Sequence, residues 1–148
     1  MRALIQRAYP ASVEVNKEII GHIENGILIF LGVEQADGKE QAEKLWKKIS
    51  KLRLFEDENG KTNLSLADIG GEVLIVSQFT LYANCKKGNR PSFTRAARPD
   101  QARELYEYFI NLAKTDCEHV ETGEFGACME VKFTNHGPFT LWLDTDEL

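Results

Sequence analysis

The chain has little cysteine: three residues, Cys85, Cys117 and Cys128, among 148. An odd number of widely spaced thiols with no Cys-x-x-Cys pair excludes a disulfide framework and speaks against a zinc site. Each reads as a buried or incidental free thiol. Long apolar runs are missing too. The longest, Ile27 to Leu31, is strand-sized, far short of the roughly 20 residues that cross a bilayer as a helix. The opening residues MRALIQRAYP carry no long apolar stretch and no small-residue cleavage site, so a signal peptide is not read there. The expected location is cytoplasmic, with no membrane partner. The chain has no G-x-G-x-x-G, no G-x-x-x-x-G-K-[ST] and no G-x-S-x-G. A dinucleotide site, a P-loop and a hydrolase elbow therefore lack sequence support. His22, His119 and His136 are not spaced to share a metal with each other or with cysteine, and no metal is expected.

An excess of positive charge is also lacking. The net charge is −5, whereas a generic nucleic-acid binder is usually basic. The distribution is uneven, however. Residues 86–103, KKGNRPSFTRAARPDQAR, set Lys86, Lys87, Arg90, Arg95, Arg98 and Arg103 against Asp100 alone. That segment carries +5 and the other 130 residues carry −10. A basic patch on an acidic body suits one defined contact with a phosphate backbone; a solvated loop and helix start accounts for it equally well.

An apolar content of 43% and a charged content of 28% are those of an ordinary globular protein, and 148 residues suit one domain, 1–148, with a proper core. RALIQRAY (2–9) alternates like a strand, and SVEVNKEIIGHI (12–23) reads as two strands around a turn at Asn16-Lys17. GILIFLGV (26–33) suggests a strand buried on both faces. Asp37 is the expected N-cap of a helix with Ala42, Leu45, Trp46, Ile49 and Leu52 on its apolar face. Residues 56–71 are turn-rich, and EVLIVSQFTL (72–81) is a second apolar strand. Pro99 opens a second helix with Ala102, Leu105, Tyr106, Phe109, Leu112 and Ala113 inward. GACMEVKF (126–133) alternates, and Phe139, Leu141 and Leu143 mark a last strand. The order predicts an α+β fold with mixed β-sheets and two main helices.

Two stretches draw attention. SQFTL, Ser77 to Leu81, puts polar side chains at the end of a very apolar strand, where a rigid scaffold can aim them. Thr80 could be a nucleophile if a base lay near, backbone N–H groups could bind an oxyanion, or the residues could simply bond their neighbours. Gly137-Pro138, just before a strand, reads first as a tight turn.

SQFTL at 77–81, KGNRPSF at 87–93 and NHGP at 135–138 resemble the D-aminoacyl-tRNA deacylase family. LIQR (4–7), GILIFLGV, NLSL (63–66) and TGEFGACMEV (122–131) extend the likeness along the whole chain in the same order. The resemblance implies a three-layer β/β/α homodimer. It implies hydrolysis of the ester joining a D-amino acid, and glycine, to the terminal adenosine of tRNA, with no metal or cofactor. It implies a site shared between subunits. Ser77, Gln78, Phe79 and Thr80 line it, with N–H groups of Phe79 and Thr80 toward the scissile carbonyl. Phe93 walls the adenosine pocket. Gly137 and Pro138, joined by a cis bond, reach in from the partner, supported by Arg7 and Asn135. Lys86, Lys87 and Arg90 are the expected tRNA contacts. The RNA's own 2′-OH, assisting water, is preferred over Thr80 as nucleophile.

Four positions depart from the family pattern. His136 fills a slot often held by Asp, Phe139 one more often Val, Thr62 one usually Met and Asn84 one frequently Asp. Two rivals stand beside the main reading. One is a relative with a trans Gly-Pro that acts on an L-residue; the other is a non-catalytic nucleic-acid-binding dimer.

Overall fold

The computed structural model describes residues 1–148. Three strands come first: β1 (Arg2–Val15), β2 (Glu18–Ile23) and β3 (Gly26–Gly32). Helix α1 (Lys39–Ile49) follows, then β4 (Arg53–Glu56), β5 (Thr62–Ser65) and β6 (Glu72–Ser77). A 3₁₀ turn (Phe79–Tyr82), helix α2 (Pro99–Asp116), β7 (Val120–Thr122), β8 (Glu130–Asp144) and a last 3₁₀ turn (Thr145–Glu147) complete the chain. The main sheet runs β2-β1-β3-β6-β7, with β8 also on β1, and β4 and β5 form a separate pair.

The strand patterns explain the layering. Asn16 and Lys17 both take positive φ, 49° and 67°, as a two-residue hairpin turn of the primed type requires. β3 lies between antiparallel β1 and parallel β6 and is apolar on both faces. One face meets α1 and α2 through a core that includes Ile27, Ile29, Leu45, Trp46, Ile75 and Phe109. The other meets the second half of β1, which curls back with β2 and the start of β8. Ala11, Val13 and Ile23 there pack against Leu28, Leu74 and Val76. The layers are thus helices, sheet and curled sheet. Gly21 lets the curl nearly close, because a β-carbon there would sit 2.6 Å from the Thr122 carbonyl oxygen on β7.

The helices anchor the strand ends. α2 starts with Pro99 at its first position and buries Ala102, Leu105, Tyr106, Phe109, Ile110 and Ala113. Phe109 stacks edge-on against Trp46 at 5.7 Å between ring centres, and truncating so buried a ring to Ala costs about 3–5 kcal/mol. Tyr106 donates its hydroxyl to the Ile75 carbonyl at 2.8 Å, tying α2 to β6. Burial pushes that phenol's pKa up.

Several boundaries differ from those expected. Gly38, not Asp37, caps α1; its N–H donates to Gln41 Oε1 at 2.9 Å. Asp37 is occupied elsewhere, accepting from the Met1 amino group at 2.7 Å and the Glu34 N–H at 2.8 Å. β6 stops at Ser77 rather than running to Leu81, because the chain turns into the 3₁₀ segment. The turn-rich region contains β5, which pairs with β4, and β7 adds an edge strand. Residues 126–129 are not strand. The last two expected strands are one, β8, so Gly137-Pro138 lies inside a strand rather than before it.

Candidate active site

The parallel ladder brings β3 and β6 to a common end, with Leu31 opposite Ser77. Gln78 still donates its N–H to the Leu31 carbonyl at 2.8 Å. The chain then bends into the 3₁₀ turn of Phe79–Tyr82. The first residues of any helical turn lack an internal acceptor for their N–H groups. The N–H groups of Phe79 and Thr80 accordingly find none in the chain, whereas Leu81 bonds back to Gln78 and Ala83 to Thr80.

These two donors stand beside a cavity of about 610 Å³ at the strand ends. Ser77, Gln78, Phe79 and Phe93, four of the predicted site residues, line it, together with Val76, Phe125 and Met129. Eleven of its fifteen lining residues are hydrophobic, which with a few polar groups is the usual make-up of a small-molecule site. Phe79, 53% exposed, meets Phe93 edge-on at 5.0 Å. Thr80 does not line the cavity. It is exposed, and its hydroxyl accepts from the Gln78 side-chain amide. No carboxylate, imidazole or amine bonds to it, so no base activates it as a nucleophile.

Arg7, Asn135, Gly137 and Pro138 gather elsewhere. Along β8, Asn135 pairs with Ala8 and Thr140 with Gln6. Residues 136–139 therefore face Arg7 alone and bulge outward. The Gly137–Pro138 bond is cis, and Gly137 has φ +133°. Arg7, 4% exposed, donates through Nε to the His136 carbonyl at 2.9 Å and through Nη1 to the Leu54 carbonyl at 2.8 Å. Its guanidinium carbon lies 4.8 Å from the centre of the Phe139 ring. Asn135 accepts the Phe139 N–H at 2.8 Å and donates to Gln6 Oε1 and Thr140 Oγ1, each at 2.7 Å. Gly137 and Pro138 themselves are exposed. His136 is exposed against the Tyr9 ring; its part in the loop is its carbonyl.

The two groups sit at opposite ends of the sheet. Arg7 pairs with Ile27, and Ser77 with Leu31. Four residues of β3 separate those levels, about 13 Å at strand rise, and β1 to β6 adds two strand spacings of about 4.8 Å each. Within one chain the bulge does not reach the cavity.

Lys86, Lys87 and Arg90 are exposed at the tip of an arm whose base is pinned by two backbone bonds, Asn84 N–H to Ser92 O at 2.7 Å and the reverse at 2.9 Å. The arm leads directly to Phe93. Sequence reasoning missed Arg2, Tyr82 and Asp144 as a group. Arg2 Nε donates to Asp144 Oδ2 at 2.7 Å, and its guanidinium carbon lies 4.3 Å from the centre of the buried Tyr82 ring. Residues 2, 82 and 144 share no local pattern, and only the β1–β8 ladder and the 3₁₀ turn bring them together.

No helix of the structure is long and apolar enough to cross a membrane. The D-Tyr-tRNA(Tyr) deacylase family model matches residues 4–144. A D-aminoacyl-tRNA deacylase of Thermosipho africanus is 56% identical over 148 residues, covering 100% of this chain and 99% of that one. Another, of Pseudoalteromonas translucida, is 57% identical over 141 residues, 95% of this chain and 97% of its own length. Among solved structures, the c-Myc DNA Unwinding Element Binding Protein superposes with a TM-score of 0.92 at 42% identity, covering 97% of this chain and 98% of that one. A probable eukaryotic D-amino acid tRNA deacylase superposes with a TM-score of 0.85 at 17% identity, over 96% and 97% of the two chains, a likeness of fold. With the match running through both SQFTL and NHGP, the chain belongs to the D-aminoacyl-tRNA deacylase family.

Proposed function

We propose that this chain, acting as one deacylase domain over 1–148, hydrolyses the ester of D-aminoacyl-tRNA and releases the free D-amino acid. The observation that carries the reading is the pair of unpaired N–H groups, Phe79 and Thr80, beside an apolar cavity that holds Ser77, Gln78 and Phe93. Water attacks the ester carbonyl carbon and the carbonyl oxygen becomes an oxyanion facing those two N–H groups. As the carbonyl re-forms, the bond to the ribose oxygen breaks and that oxygen leaves as a hydroxyl with the proton the water gave up. An activated ester needs positioning and oxyanion stabilisation more than a side-chain nucleophile. The 2′-OH of the terminal adenosine assists the water, in keeping with a Thr80 that has no base. Phe93 walls the adenosine site.

Selection of the D-form belongs to Gly137 and Pro138 of a second subunit. Their distance from the cavity within one chain, their exposure and their clamp by Arg7 and Asn135 support a homodimer with each site shared. A fixed main-chain edge accepts the substrate's ammonium and faces the α-hydrogen. The side chain of an L-residue would collide with it, whatever that side chain is. Glycine has no side chain to exclude and is accepted. Lys86, Lys87 and Arg90 meet the acceptor stem.

Release of D-Tyr, L-Tyr and Gly from tRNA by pure, metal-free protein tests the reading. D-Tyr and Gly release with L-Tyr spared is expected. Release of L-Tyr supports the L-acting relative, and binding without any release supports a nucleic-acid-binding protein. A monomer by sedimentation that is still selective for D-Tyr overturns the shared site.

A further inference from the structure

A second cavity, of about 410 Å³, opens at the other end of the 3₁₀ turn. We propose that it holds the phosphate on the 5′ side of the terminal nucleoside when RNA occupies the first cavity. The inference rests on that reading of the first cavity and adds to it a phosphate subsite made by Arg2, Asn84, Lys86 and Arg95 over Tyr82.

Position is the first support. Phe79 lines the first cavity and Tyr82 the second. Three residues of 3₁₀ turn separate them by about 6 Å, a spacing that the sugar and 5′ oxygen of one nucleotide can bridge. Asn84 lies at the base of the basic arm and Lys86 further along it, and the same arm delivers Phe93, so one segment borders both cavities.

Charge is the second. The wall of the second cavity contains three cationic side chains and no carboxylate. The carboxylates that balance the arginines lie behind them. Asp144, which holds Arg2, is 7% exposed, and Glu34, which holds Arg95, is 12% exposed; Arg95 itself is 52% exposed. Donors remain free after those pairings. Arg2 uses Nε on Asp144 and Nη1 on the Leu81 carbonyl, leaving Nη2. Arg95 uses Nη2 on Glu34, leaving Nη1 and Nε. Asn84 spends its side-chain oxygen on the Lys86 N–H, so its amide nitrogen is free.

The floor is the third. The Tyr82 ring is 1% exposed and lies 4.3 Å from the Arg2 guanidinium carbon and 5.6 Å from that of Arg95. Both planar groups are thereby held in place before any ligand arrives. Guanidinium forks fixed in this way suit a phosphate's oxygens. The Tyr82 hydroxyl is buried without a hydrogen-bond partner; the ring, not the hydroxyl, is what supports the two guanidinium groups.

Calorimetry with adenosine, 5′-AMP, the dinucleotide CpA and inorganic phosphate tests the subsite without relying on catalysis. 5′-AMP and CpA should bind about tenfold or more tighter than adenosine, the effect of one or two charge-assisted hydrogen bonds. In Arg95→Gln the ratio of these affinities should fall towards one. Glu34→Gln breaks the same ion pair but keeps the guanidinium, and should keep the ratio; identical behaviour of the two variants means Arg95 is only structural and overturns the proposal. Equal wild-type affinity for adenosine, 5′-AMP and CpA overturns it as well. Inorganic phosphate binding as tightly as 5′-AMP means a free-anion site and overturns the RNA assignment. If adenosine, 5′-AMP and CpA all fail to bind, the reading of the first cavity fails, and the subsite falls with it.

Discussion

The Arg7 Nη2 atom lies 3.0 Å from where a β-carbon on Gly137 would stand. The Phe139 nitrogen is 3.1 Å from the same point, and the backbone there has φ +133°. Gly137→Ala must therefore strain the bulge and push on a buried guanidinium that already holds two carbonyls. The expected cost is about 1–3 kcal/mol of stability, read by urea unfolding, with a loss of D-Tyr-tRNA deacylation larger than the stability change explains. Normal activity in a stable Gly137→Ala protein would remove this loop from the site.

Thr80 offers the opposite expectation. Its hydroxyl touches only the Gln78 amide, while its N–H, which any residue but proline supplies, is the proposed donor. Thr80→Ala should keep deacylation within about tenfold of wild type, consistent with the modest contribution of one neutral hydrogen bond. Abolished turnover with intact folding and tRNA binding would point back to a Thr80 nucleophile.

Acid stability should depend on Asp144. Burial works to raise its pKa, but hydrogen bonds from Arg2 and the Asp146 N–H, with the charges of Arg2 and the amino terminus, outweigh it and hold the carboxyl below the usual range. A carboxylate lowered in the folded state stabilises the protein above its unfolded pKa and loses that contribution as pH falls through the folded value. Asp144→Asn should therefore be less stable than wild type at pH 7, and the gap should shrink below about pH 4. Urea midpoints at pH 7 and pH 3 check this; a gap independent of pH would show that the charge is not what stabilises.

The arm can be tested by salt. Lys86, Lys87 and Arg90 are exposed, so reversing the two lysines should leave the unfolding midpoint within experimental scatter. If both contact phosphates, the slope of log K for tRNA against log salt should fall by up to about 2. An unchanged affinity and slope would place the acceptor stem elsewhere.

Much of the architecture was legible in local pattern. The turn at Asn16-Lys17, the buried run of β3 and the Pro99 start of α2 follow from side-chain periodicity and backbone preference. Asp37 misled because a good capping residue found stronger partners, the Met1 amino group and the Glu34 N–H. The end of β6 misled because Phe79, Thr80 and Tyr82 are good strand formers, whereas the chain there enters a 3₁₀ turn that buries Tyr82. β7, three residues long, is too short to show a period. For the site, the motifs named Ser77, Gln78, Phe79 and Phe93, and the structure gathers them around one cavity. That Arg7 also fixes Leu54, and that Tyr82 carries two arginines, are contacts between distant segments for which the sequence has no local sign.

The bulge at 136–139 has both of its ends in the same β1–β8 ladder, and Arg7 and Asn135 hold it between them. Ordering a backbone residue costs about 1–2 kcal/mol, so four residues represent about 4–8 kcal/mol of conformational entropy that is lost when the chain folds. None of it has to be lost again when a ligand arrives. A mobile loop of the same composition would subtract that ordering from every binding event and would yield to a misshapen ligand. In the chiral selection proposed for it, ligands of either hand would meet the same unyielding shape, and the difference between them would be left to geometry alone.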